Sequence, residues 1–140
     1  MKDENTAKKV VDKMYNNDPF SKWLGIERVV DAAGHSVLKM TVRKEMLNGF
    51  SIAHGGIAYS LADSALAFAA NGHGQMAVSV ETSISHTNKV KENDVLTAVA
   101  EEKSLSSKIG VYHITISNQE GKTVALFKGT VYRTGKDWDV

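Results

Sequence analysis

The stretch from Gly55 to Asn71 constrains this chain more than any other. It carries Ile57, Ala58, Leu61, Ala62, Ala65, Leu66, Phe68 and Ala69 at helical spacing, with Asp63 as its one charge. A helix that is apolar nearly all round cannot lie on a surface, so other elements must enclose it. It is too short to cross a bilayer, and Asp63 interrupts it. Gly72 stands where a C-terminal glycine would close the helix. The fold is therefore expected to be a wrapper around this one segment.

The flanks supply the wrapper. Residues 25–31 and 35–43 read as two strands, joined by a tight turn at Ala33-Gly34. After the helix come four runs rich in Val, Ile, Thr and Tyr, at 77–88, 94–104, 109–118 and 122–133. Asn48-Gly49, Lys91-Glu92-Asn93-Asp94 and Asn118-Gln119-Glu120-Gly121 carry turn chemistry. Upstream, residues 4–17 place Ala7, Val10, Val11, Met14 and Tyr15 on one helical side. Asp18-Pro19 ends that helix, because a residue before proline avoids the α region. Phe20, Trp23 and Leu24 are then expected to anchor onto the core. With no repeat, linker or low-complexity tract, the expected organisation is one domain over 1–140, with a helical segment at 1–19. The expected class is α+β, an antiparallel sheet of about five to six strands wrapped round a long central helix. Such a sheet has edges, and edges invite pairing with a second subunit.

Composition narrows the chemistry. At 140 residues, of which 42% are hydrophobic, the chain can fill one core but has little mass left for a deep site of its own. Seventeen Lys and Arg stand against 16 Asp and Glu, so the basic excess of a nucleic-acid binder is missing. The absence of cysteine excludes disulfides, thiolate nucleophiles and cysteine-based zinc sites. His35, His73, His86 and His113 have no short metal-ligand spacing, so no metal is expected. The segment Met1 to Lys9 is charged and polar, without a signal-peptide stretch, and the expectation is a cytoplasmic protein with no membrane partner.

The chemistry concentrates in Asn48-Gly49-Phe50-Ser51-Ile52-Ala53-His54-Gly55-Gly56 and in Asp63. Two glycines at a helix start let another group come close to the backbone. The leading N–H groups of a helix lack internal acceptors and sit at its positive end, a ready place for a carbonyl oxygen that becomes an oxyanion. The plainer alternative is that Gly55 and Gly56 only permit tight packing. Asp63 is a poor helix former among apolar neighbours. It is either a carboxylate satisfied by a nearby turn or one whose burial raises its basicity, so that it can activate water or attack a carbonyl. Eight residues separate Gly55 from Asp63, about 12 Å along a helix axis. A donor and a base must both lie within roughly 3 Å of one reacting centre. A single helix cannot bring these two together, whereas two copies related by a two-fold axis can.

The strings Asn48-Gly49, His54-Gly55-Gly56 and Ser60-Leu61-Ala62-Asp63 resemble the signature of PaaI-type (phenylacetate-pathway) hotdog thioesterases. Gly110-Val111-Tyr112 and the run from Lys122 to Gly129 are also similar to that group, and the resemblance covers roughly residues 20 to 134. It implies a hotdog fold and an acyl-CoA thioesterase, working as a homodimer or a dimer of dimers. No cofactor is implied, since coenzyme A is part of the substrate. By the same resemblance the Gly55 N–H polarises the thioester carbonyl, Asp63 is nucleophile or general base, Asn48 positions water or substrate, and Ser79 assists from the strand after the helix. His54 and Gly56 shape the helix start and contact substrate. The phosphates of coenzyme A call for basic residues, with Lys89, Lys91, Lys108 and Arg133 as candidates near strand ends. Tyr59, Phe68 and Tyr112 are candidate acyl contacts. The acyl group is expected to be aromatic, phenylacetyl-like, or a short to medium aliphatic chain. The competing functions are an acyl-thioester dehydratase or hydratase on the same fold, and a non-catalytic acyl-CoA-binding module.

Overall fold

The computed structural model describes residues 5–140. Three helices and six strands run in the order α1 (Thr6–Asn16), α2 (Pro19–Leu24), β1 (Glu27–Ala32), β2 (His35–Thr41), α3 (Gly55–Asn71), β3 (Gln75–His86), β4 (Val95–Leu105), β5 (Ile109–Ser117) and β6 (Thr123–Asp137), with a single 3-10 turn at Lys44–Met46. The six strands form one sheet in the order β1-β2-β4-β5-β6-β3, and every neighbouring pair is antiparallel. The long helix α3 lies in the concave face of this sheet. This is the hotdog arrangement.

The alternation of the strands explains the wrap. Along β6, Ala125, Phe127 and Val131 are buried towards α3, while Leu126, Lys128 and Tyr132 face outward. Leu38 and Met40 of β2, Leu96 and Ala98 of β4, and Ile114 and Ile116 of β5 do the same. Against them α3 presents Leu61, Ala62, Ala65, Leu66, Phe68 and Ala69, all essentially without exposure. Truncating a side chain such as Phe68 would cost roughly 3–5 kcal/mol, the transfer and cavity terms together. The residues of α3 that the sheet leaves partly open are Gly56, Tyr59, Ser60, Asp63, Ser64 and Ala67, a single stripe at intervals of three and four.

Among the described residues β3 is an edge strand, paired only with β6. Its register slips between Ser79 and Glu81, leaving Val80 opposite no partner. Such a bulge inserts one residue and re-aims the side chains beyond it. Ser79 opposes the inward Val131, and Thr82 opposes Gly129 on the same inward row. Without the insertion two residues three apart would point to opposite faces.

The sequence reading differs from the structure in several places. Asp18-Pro19 ends α1 but also starts α2: the Asp18 carboxylate accepts the Ser21 N–H at 2.9 Å, and Pro19 occupies the first helical position, where a missing N–H costs nothing. Of the three expected anchors only Leu24 is buried. Phe20 and Trp23 are 53% and 46% exposed, their rings stacked 6.0 Å apart, with the Arg43 guanidinium 4.9 Å above Trp23. Gly72 is not a left-handed cap, since its φ is −61°. It is glycine because a Cβ there would sit 2.8 Å from the Ala32 carbonyl oxygen. The helix expected from residue 4 starts at Thr6, and Glu4 lies outside the described residues. Strand β6 runs four residues beyond the expected end, to Asp137.

Candidate active site

The segment ahead of α3 is pinned by its own backbone. Leu47 and Ala53 form an isolated antiparallel bridge, the Ala53 N–H donates to the Val90 carbonyl at 2.7 Å, and the His54 N–H donates to the Met46 carbonyl at 2.9 Å. Inside this loop Asn48 Oδ1 accepts the Phe50 N–H at 2.9 Å and the Ile52 N–H at 3.4 Å. The carbonyl end of the Asn48 amide is thus committed to the loop, and its NH2 end has no acceptor among the described residues.

His54 is the N-cap of α3, and its Nδ1 accepts the Gly56 N–H at 2.9 Å. The cap explains Gly56, where a Cβ would lie 3.1 Å from that Nδ1. It also disposes of one of the free amides at the helix start and leaves another. The Gly55 N–H has no acceptor among the described residues, at the end of the helix where the dipole favours negative charge. Gly55 lines a cavity of about 190 Å³ together with Asn48, His54, Ala58, His86, Asn88 and Lys89. A Cβ on Gly55 would stand 3.2 Å from His86 Nε2, so the imidazole lies directly over this glycine.

Asp63 lies two turns on, beside a different cavity of about 490 Å³. Its neighbours there include Leu66, Ala67, Met76, Ala77, Ser79 and Val131. Burial pushes the Asp63 carboxyl above the ordinary aspartate value. Among the described residues no hydrogen-bond donor or cation partners it, so nothing offsets that burial.

The expected site residues therefore fall into two groups. Asn48, His54, Gly55 and Lys89 meet at the N-terminal end of α3, and Asp63 and Ser79 meet beside its middle. One chain does not bring the groups together. Lys108 lies in the β4–β5 hairpin, where its ammonium sits 5.9 Å from the Tyr132 ring centre, and it lines neither cavity. Arg133 is likewise elsewhere, donating to the Ser106 carbonyl at 3.0 Å. Lys91 borders a neighbouring polar hollow that shares Asn88 and Lys89 with the Gly55 cavity. Phe68 and Tyr112 are core residues: Tyr112 is fully buried, its hydroxyl donates to Glu102 at 2.7 Å, and burial followed by that carboxylate pushes its phenol upward. Tyr59 packs edge-on against Phe127, with its hydroxyl 2.6 Å from the Thr82 hydroxyl.

Sequence reasoning passed over His86, Met14 and Trp138 as parts of a site. His86 pairs with Ala125 on the inward row of β3, a position that period-two alternation from Ile84 foretells. Nothing local links it to a glycine 31 residues earlier. No group of three or more His, Asp or Glu among the described residues is placed to hold a metal ion, and no helix among them is long and apolar enough to cross a membrane.

Comparison with known proteins identifies the family. Residues 50–125 match the family model described as the thioesterase superfamily. The acyl-coenzyme A thioesterase PaaI of Escherichia coli is 43% identical over 122 residues, covering 87% of each chain. The solved structure of the E. coli PaaI protein from the phenylacetic acid degradation operon superposes with a TM-score of 0.93 at 40% identity, covering 96% of this chain and 97% of that one. A Streptococcus pneumoniae thioesterase solved with coenzyme A superposes with a TM-score of 0.78 at 29% identity, covering 81% of this chain and 91% of that one.

Proposed function

The chain belongs to the thioesterase superfamily as a PaaI-type hotdog enzyme, and on that premise we propose that it hydrolyses acyl-CoA thioesters to the free acid and coenzyme A. The observation that carries this reading is the contrast between two positions on one helix. Its head offers an unspent amide, and its middle offers a carboxylate, unpaired among the described residues, in the lining of a mostly apolar cavity.

The catalytic unit is a homodimer, alone or within a dimer of dimers. A thioester bound at the interface accepts a hydrogen bond on its carbonyl oxygen from Gly55 N–H of one copy. Asp63 of the second copy stands on the other side of the carbonyl carbon. As general base it takes a proton from water while the oxygen of that water bonds to the carbon. The tetrahedral oxyanion is held by the Gly55 amide and then collapses, breaking the C–S bond. Coenzyme A leaves as the thiolate and is protonated, and the acid remains. Direct attack by the carboxylate would form an anhydride that water then opens, and both routes use the same two groups.

Asn48 offers its NH2 end to water or substrate, and Ser79 adds a hydroxyl beside Asp63. His54 holds the helix start in shape, and Gly56 leaves room for that cap. Lys89 stands where the Gly55 cavity meets the lysine-bearing hollow, in the path of the coenzyme A phosphates. The acyl group, phenylacetyl-like or a short to medium chain, enters the Asp63 cavity. The free edge of β3 and the open stripe of α3 support the pairing of two copies. The whole chain acts as one hotdog unit, and its expected compartment is the cytoplasm.

The test is release of free thiol from a panel of acyl-CoA esters. Wild type should turn over, and Asp63→Asn should lose about 10³-fold or more in kcat with its fold intact by circular dichroism. Comparable activity in the two proteins, or an active species that sizes as a monomer, would overturn the mechanism.

A further inference from the structure

The apolar lining of the Asp63 cavity comes mostly from α3, β3 and β6, but two of its walls do not. Met14 reaches in from α1, and Trp138 from the segment after β6. Both lie outside residues 50–125, the part matched by the family model. Behind them is a second hollow of about 450 Å³, open to the surface and bordered by Lys13, Asn17, Asp18, Pro19 and Phe20. Met14 and Trp138 line that hollow as well. They are thus a partition, facing the carboxylate cavity on one side and the outer hollow on the other.

The partition is held in place. The Trp138 indole N–H donates to Asn71 Oδ1 at 2.9 Å, and its backbone N–H donates to the Gly74 carbonyl at 2.9 Å. Asn71 is 2% exposed and fully committed. Its Nδ2 donates to the carbonyls of Ala67 at 2.8 Å and Ala77 at 3.1 Å, and its Oδ1 also accepts the Ala77 N–H at 2.9 Å. The Lys13 ammonium donates to the Asp139 carbonyl at 3.0 Å, tying α1 to the same tail. Trp138 is therefore a fixed plate, beside which Met14 supplies an unbranched filler.

We propose that Met14 and Trp138 are the acyl-length stop of this enzyme. The inference rests on the reading of Asp63 as the reacting carboxylate. With the thioester carbon beside Asp63, a straight acyl chain enters a cavity whose lining is mostly apolar and is closed in part by these two side chains. A saturated chain asks for no polar partner, and the cavity beyond Asp63 offers mainly hydrocarbon and the Met14 and Met76 thioethers. Each methylene that fits is worth about fourfold in affinity. The first that does not fit must displace the indole against its hydrogen bond to Asn71. Removing the partition joins the cavity to the outer hollow and gives longer chains a way past Phe20 to the surface.

The experiment is a kcat/KM profile over straight-chain acyl-CoA esters from acetyl to palmitoyl, for wild type, Met14→Ala, Trp138→Ala, Trp138→Phe and Met14→Phe. Wild type should climb with chain length and then fall off sharply. Met14→Ala and Trp138→Ala should each raise the ratio of long-chain to short-chain kcat/KM, by about tenfold at the first length wild type rejects. Met14→Phe should move the fall-off to shorter chains, and Trp138→Phe should return it towards wild type. Equal losses at every length would mean that these residues only support the fold, and an unmoved fall-off would mean that the stop lies elsewhere. Either result overturns the proposal while leaving hydrolysis by Asp63 intact. If Trp138→Ala does not fold, the paired shifts in opposite directions from the two Met14 variants decide the matter. Failure of wild type to hydrolyse any of the esters would overturn the proposed function and this inference together.

Discussion

The head and the middle of α3 solve opposite problems. At Gly55 the working group is backbone, at a helix start whose shape is held by His54 capping Gly56 and by the Asn48 oxygen within its own loop. At Asp63 the working group is a side chain, set in a mostly apolar lining with no partner among the described residues. The first position is built to stabilise charge that arrives, and the second keeps a charge uncomfortable until it is used. An amide cannot be made more basic, and a lone carboxylate cannot stabilise an oxyanion. Splitting the tasks over two turns lets each environment suit its group, at the cost of needing a second copy to reunite them.

At Gly55 a large effect, second to that of Asp63→Asn, is expected. Gly55→Pro deletes the amide hydrogen at a position where helices accept proline, and His54, at φ −59° and ψ 138°, already has the conformation a residue before proline needs. Gly55→Ala brings a similar Cβ, 3.2 Å from His86 Nε2, but keeps the hydrogen. The proline variant should lose about 10² to 10³ in kcat and the alanine variant much less. Equal losses would mean that space around His86, and not the donor, is what the glycine provides.

Mixing the two kinds of variant probes the division of labour directly. Refolding Gly55→Pro together with Asp63→Asn in equal amounts gives hybrid dimers in half of all pairings, each with one site whose two groups are intact. Activity should return to about a quarter of wild type, from two variants that are each nearly dead. A mixture no better than its parents would show that both groups serve a site within one chain.

The smallest effect is on stability. Burial raises the Asp63 carboxyl, so the folded chain holds that proton more tightly than the unfolded chain. As pH rises past the ordinary aspartate value of about 3.9, the unfolded state ionises first and stability falls, levelling once the folded carboxyl has also ionised. Asp63→Asn removes this loss. Its melting temperature should exceed that of wild type at neutral pH, and the gap should close below the ordinary aspartate value. The acid limb of the wild-type rate profile should likewise lie above that value. A limb at or below it would mean that burial does not tune this group.

Much of this was legible in the chain because the informative features are local. An all-round apolar helix, the glycines at its head and the misplaced carboxylate are each read from a few consecutive residues, and so is the alternation that makes the strands. α2 was hidden because six residues are too few for helical periodicity, and Asp18-Pro19 reads equally well as a stop or a start. Phe20 and Trp23 look like core, yet their surfaces are met by each other and by Arg43 instead. The far wall of the Asp63 cavity was not legible at all. Met14 and Trp138 come from opposite ends of the chain, and only the register of β6 and the hydrogen bonds of Asn71 set them side by side.

The extra residue in β3 carries a consequence for how this protein can change. Because Val80 is unpaired, the hydroxyls of Ser79 and Thr82 both look inward, although their spacing is odd. Parity in this strand is thus kept by one irregularity lying between them. Loss or gain of a residue at Val80 can be absorbed where pairing is already broken. The same change at Val78 or Ser83, where the ladder is regular, would turn one of those hydroxyls to the outer face. Lineages of this enzyme should therefore tolerate length variation in β3 at that point and purge it in the regular ladder on either side, from Ala77 to Ser79 and from Glu81 to His86.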